Sequence, residues 1–195
     1  MAEEAGRPAR RTRRHDPHRR ERIAEVAEEL IAERGLEGLS HRAIAERADV
    51  SLSSTTYHFA DREALIQAAL ERAADRFAAF MRQWAAEHAQ DTREELAQAL
   101  ADSVMACVGE EGRSGAVVEF ELYLAALRRP ALREAAARLT SESVEVMTPV
   151  VGPVVAACIP PLMNGLCLQV MTAPEPPGRG QVLEVLRQVL GVAPA

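Results

Sequence analysis

The sequence predicts an all-α fold, and three observations carry that expectation. The 195-residue chain is dominated by Ala, Leu, Arg and Glu, with few aromatic or β-branched residues, a composition that favours helix. Apolar residues recur at spacings of three and four along most of the chain and nowhere alternate as they do in a strand. Ser, Thr or Asp stands ahead of several of these periodic stretches, and Gly or Pro follows them, as helix ends require.

Taken in order, residues 1–18 are polar and Arg-rich with Pro8 and Pro17, so a disordered basic arm is expected there. A first helix over about Arg19–Arg34 follows from Ile23, Val26, Ala27, Leu30 and Ile31 on one face and from Gly35 behind it. Ser40 caps a second helix, about His41–Ala48, with Ile44 and Ala48 facing inward. Asp49-Val50 breaks it, and Ser51 caps a short third helix ending at His58, anchored by Val50 and Phe59. A long fourth helix runs from Asp61 to about His88 with Leu65, Ala69, Ala73, Phe77, Phe80, Met81 and Trp84 along one side. Thr92-Arg93-Glu94-Glu95 reads as a capping box opening a fifth helix to about Val108. Glu110–Gly115 is expected to be a loop. Helices over about Ala116–Arg128, Leu132–Val151 (with a kink at Pro149), Pro161–Thr172 and Gln181–Leu190 complete a set of about nine.

Charge is unevenly spread. The net charge is −6, but residues 1–62 balance to zero, so the whole excess lies in the remainder. Between Arg7 and Arg22 eight Arg face only Asp16 and Glu21, which places any contact with a polyanion at the N-terminal end. Cys107, Cys158 and Cys167 lie in apolar surroundings without CxxC spacing, and read as buried, reduced thiols of a cytoplasmic protein. MAEEAGRPARRTRR lacks the apolar run of a signal peptide. The apolar stretch Val144–Met171 is interrupted by prolines and glycines, so no membrane partner is expected. No HExxH, P-loop, GxGxxG or placeable Ser–His–Asp set is present, and four of the five His lie before residue 60. No catalytic residue, metal site or cofactor is predicted.

The informative stretch is Leu39–Leu65. A capped helix, a three-residue turn and a second short helix make a helix-turn-helix, whose second helix enters the major groove. Ser and Thr are poor helix formers because their hydroxyls compete for backbone hydrogen bonds. A helix built from Ser53, Ser54, Thr55, Thr56, Tyr57 and His58 makes sense if those groups face base edges and phosphates. Arg42, Ser51 and Arg62 extend that surface, Arg62 as a phosphate contact. His41 is expected to be solvated, and His58 is divided between a phosphate donor and a packing role. The alternative is a surface loop joining two ordinary helices.

The segment IAERADVSLSSTTYHFADREALI resembles the DNA-binding domain of the TetR family, and the likeness extends over about Arg19–Leu70. By that resemblance Arg42, Ser54, Thr55, Tyr57 and His58 fall at or near DNA-contacting positions, and Arg62 where the family usually has a phosphate-binding Lys. Asp49 stands where Gly is commonest, so the turn needs a left-handed Asp; Thr56 stands where Tyr is typical.

The resemblance implies a DNA-binding domain over 19–66 and a ligand-binding and dimerisation domain over 67–195. It implies a homodimeric repressor on a palindromic operator in double-stranded DNA, released by a small-molecule effector; a helical adaptor without DNA binding is the other reading. For the effector site, Phe120, Leu124 and Leu127 are expected along one side of their helix, with Tyr123 beside them and Met105 and Met147 converging from neighbouring helices; plain core is the alternative. Glu121 and Asn164, polar residues inside apolar runs, need a partner if buried, either a ligand or a helix end. Leu162, Leu166, Val170, Val182, Val185, Leu186 and Val189 are assigned to the dimer interface, with Leu168 turned inward.

Overall fold

Cap chemistry places the first four helices. The computed structural model describes residues 16–192, so the expected basic arm lies, as far as residue 15, outside the described residues. Helix α1 spans Arg19–Arg34 and stops at Gly35, whose φ of 65° only glycine adopts easily. Ser40 accepts from the Ala43 amide to open α2, His41–Arg47, and Ser51 accepts from the Ser54 amide to open α3, Leu52–His58. Asp61 does the same for the Ala64 amide at the head of α4, Arg62–Glu87. Those 26 residues extend roughly 40 Å at helical rise, the length needed to join both ends of the molecule.

The predicted capping box at Thr92 and Glu95 opens α5, Arg93–Ala106. The expected loop over 110–115 is helix: α6 runs Glu110–Arg128. Gly112 explains the misreading. A Cβ there would lie 2.2 Å from the Ala106 carbonyl oxygen, so glycine lets the end of α5 sit on the first turn of α6 instead of breaking the helix. Helix α7 covers Arg133–Val151, and α8 covers Pro153–Thr172, beginning eight residues before the expected start. Gly152, at φ 85°, breaks the chain between them, and Pro153 occupies a first-turn position where no amide is needed. Pro160 and Pro161 therefore sit inside a helix, where their missing N–H groups remove backbone bonds without ending it. Helix α9, Arg179–Leu190, closes the described residues.

The helices enclose two apolar clusters. The first joins Ile23, Leu30, Ile31, Ile44 and Phe59 to Leu65, Ile66 and Leu70 of α4, and also takes in Leu122 of α6, Leu132, and Leu139 of α7. The second gathers Met81 and Trp84 of α4 with Leu96 and Val104 of α5, Met147, Ile159 and Leu166 of α7 and α8, and Leu186 of α9.

Two faces differ from expectation. Leu124 and Leu127 point outward, because α6 buries Val118, Leu122 and Ala125 instead. Leu166, Val170, Val182 and Leu186 pack within the chain's own second cluster, whereas Leu168 is turned out. Among the residues that α8 exposes, Val154, Cys158, Pro161, Gly165 and Leu168 recur at alternating spacings of four and three. Helix α8 is also long and apolar enough to cross a membrane by composition, with only 28% of its apolar window buried.

Candidate functional site

At the N-terminal end, α2 and α3 are joined by a tight turn in which Val50 N–H bonds the Ala45 carbonyl and Asp49 takes the expected left-handed conformation, φ 50°. Arg47 of α2 grips Glu33 of α1 through two bonds of 2.7 Å, fixing the pair against the first helix. The open surface here carries the cap residue Ser51 and, on α3, Ser53, Thr56 and Tyr57, with Tyr57 projecting into solvent at 84% exposure. Ser54 and His58 are half-buried at its edge, with the His58 ring edge-on to Tyr57 at 5.2 Å. Arg42 is exposed and, among the described residues, paired only along its own helix, to Glu46 at 3.1 Å. Arg20, from the basic stretch, lies over the Phe59 ring at 5.0 Å.

Two assignments change, and a third residue, the still exposed Arg62, takes on a second role. Thr55 is completely buried, its hydroxyl donating to the Leu52 carbonyl at 2.8 Å, so it packs α3 rather than reading a base. His41 is not solvated; its Nδ1 lies 3.2 Å from the Thr55 hydroxyl, and its Nε2 is buried without a partner among the described residues. Arg62 spends two of its donors on backbone carbonyls, Nε to Leu39 at 2.8 Å and Nη2 to Leu36, and so clamps α4 to the segment before α2.

The other end holds a cavity of about 1040 Å³ between α4, α5, α6, α7 and α8. Phe77, Phe80, Trp84 and Phe120 give it aromatic walls, and Tyr123, Met147 and Asn164 line it as expected. Met105 does not, standing behind the second core, and Glu121 faces the other way, with a carboxylate oxygen 3.2 Å from where a Cβ on Gly35 would stand.

The carboxylate in the cavity is Glu119. Burial pushes its carboxyl up to about 7, against a smaller downward pull from Arg76. Arg76, on the same cavity wall, is bonded at 2.5 Å to Glu28 of α1, a carboxylate only 8% exposed. One guanidinium thus stands between the cavity and the helix that carries the helix-turn-helix. Acidic side chains, Asp91, Glu95, Asp102, Glu110 and Glu111, complete the lining with His88. Such a rim attracts cations and repels anions.

Residues 23–69 match the family of bacterial regulatory proteins called tetR, and residues 91–192 match the tetracyclin repressor-like C-terminal domain. The chain belongs to the TetR family. A transcriptional regulator from Streptomyces coelicolor A3(2) is 36% identical, with 89% of this chain and 99% of that one covered at a TM-score of 0.75. The multidrug binding protein EbrR complexed with ethidium is 38% identical, covering 90% and 99% of the two chains at 0.70. Its complex with malachite green gives 36%, 89%, 98% and 0.67. None of the curated proteins compared matches the chain.

As a TetR-family transcriptional regulator it is a DNA-binding protein and not an enzyme. Sequence reasoning missed Glu119, Arg76, Phe77, Phe80, Trp84 and Met163 as cavity residues. The signal was present in part: Glu119 and Glu121 both interrupt the same apolar run, but two residues on a helix lie about 200° apart, so only one can face the cavity. Leu124 and Leu127 lie outward, so the side of α6 that meets the cavity carries Glu119 and not Glu121.

Proposed function

We propose that the chain is a homodimeric TetR-type repressor, that residues 19–66 bind a palindromic operator, and that the remainder senses a planar aromatic cation. Glu119 carries the effector assignment. A carboxylate held deep in an aromatic cavity without a full counter-charge is costly when empty and strongly favourable to an apolar cation. Ethidium and malachite green, the ligands of EbrR, are cations of that kind. The DNA assignment rests on the exposed Ser51, Ser53, Thr56 and Tyr57 of α3, with Arg42 beside them.

The exposed stripe of α8 supports a two-fold partner. Val154, Pro161 and Leu168 supply apolar surface, and Cys158 and Gly165 are small enough for close helix approach. Val185 extends the patch on α9. Two recognition helices related by such an axis would enter successive major grooves, roughly 34–36 Å apart. In the proposed release step, a cation beside Glu119 repels Arg76, and the Arg76–Glu28 bond transmits the displacement to α1. The coupling has a two-site, two-state form.

Selection of bound sequences from random duplex DNA should return a palindrome, with retention that weakens steeply as salt rises. Malachite green should then release the protein from that DNA, and Glu119→Gln should blunt the release at least tenfold. Absence of any selected sequence would favour the adaptor reading, and release that is unchanged in Glu119→Gln would remove the cation assignment.

A further inference from the structure

Cys107 caps the C-terminal end of α5 and is buried, whereas Cys167 lies half-buried in the second half of α8. Their sulfurs are 2.8 Å apart, and both residues line the cavity. The sequence expectation of buried, reduced thiols holds for Cys107, holds in part for the half-buried Cys167, and fails for Cys158, which is exposed on the opposite side of α8.

We infer that Cys107 and Cys167 are a dithiol that a peroxide converts to a disulfide, stapling the end of α5 to α8 in the cavity wall. The two thiols are unequal. Cys107 already directs its S–H at the Ser103 carbonyl, 3.8 Å away, so in the contact between the two sulfurs Cys167 is the donor and Cys107 the acceptor. That contact favours the Cys107 thiolate over that of Cys167, while burial opposes ionisation of both. Cys107 is therefore the attacking sulfur. Its thiolate takes one peroxide oxygen, the O–O bond breaks, and hydroxide leaves to become water, giving a sulfenic acid. The Cys167 sulfur, giving up its proton, attacks the sulfenic sulfur; the S–O bond breaks and a second water leaves. Two thiols are oxidised and one peroxide is reduced to two waters. Hydrogen peroxide is small enough to reach the pair through the cavity.

The test uses the full chain carrying Cys158→Ser, which removes the exposed thiol and any link between protomers. Hydrogen peroxide should cost it two thiols and 2 Da, join the peptides containing Cys107 and Cys167, and raise the melting temperature, all reversed by dithiothreitol. Adding Cys167→Ser should stop the reaction at a sulfenic acid on Cys107 that dimedone traps. Adding Cys107→Ser should leave Cys167 unmodified. A Cys158→Ser chain that keeps both thiols while glutathione in the same tube is oxidised would overturn the inference, as would trapping on Cys167 in place of Cys107. Ethidium fluorescence on the same samples separates this from the effector reading. Failure of the reduced protein to bind the dye would sink the cation assignment, whereas the bond is decided by the masses alone.

Discussion

Asp49 shows what a single backbone position demands. At φ 50° it occupies a region that costs an ordinary L-residue about 1–2 kcal/mol, and Asp tolerates it better than Ala. Asp49→Ala should lower stability by about 1 kcal/mol in urea titration, and Asp49→Gly should hold or raise it. At the DNA face, replacing both Tyr57 and Arg42 by Ala should abolish operator retention in a gel shift while circular dichroism stays helical, since neither side chain is buried. Glu119 sets a pH dependence. Its carboxyl, raised from an ordinary 4.5 to about 7, keeps its proton in the folded protein over a range where the unfolded chain has lost it. Stability should therefore decline as pH climbs from about 4.5 to about 7, by roughly 3 kcal/mol at most, and Glu119→Gln should flatten that slope. Binding of a monocation has the opposite sense, weakening below about pH 7 by up to roughly tenfold per pH unit.

At the scale of elements, α5 and α6 depend on one missing methyl group. Gly112→Ala would push a Cβ into the Ala106 carbonyl, and the expected loss is about 1–3 kcal/mol, measurable as a lower melting temperature. The same glycine marks where legibility stopped. Helices opened by Ser40, Ser51, Asp61 and Thr92 were visible in the sequence because a cap is a local bond between neighbouring residues. Gly112 and Pro160-Pro161 looked like breaks because what keeps those helices whole is tertiary packing, which no local pattern records. The site divides likewise. The α3 surface was legible apart from Thr55, whose hydroxyl turns inward to a backbone carbonyl. The cavity was only half legible, because periodicity identified an apolar face on α6 without saying which neighbour it would meet.

For the whole molecule, association and cooperativity are the relevant quantities. Leu168→Arg places a charge in the exposed α8 stripe, and sedimentation should show monomers where the parent chain gives dimers, with helix content unchanged. The first apolar cluster does not stop at residue 66: Leu122, Leu132 and Leu139 close it from the other half of the chain. A fragment cut after α4's first turn would lack Leu70, Leu122, Leu132 and Leu139, which belong to the same cluster as Ile23 and Ile31. Calorimetry on the intact chain should accordingly show one melting peak, not separate ones for its N-terminal and C-terminal parts. Grafting residues 19–66 onto another helical body would thus transplant an unfinished core, and a working chimera would have to bring the matching surfaces of α6 and α7 with it.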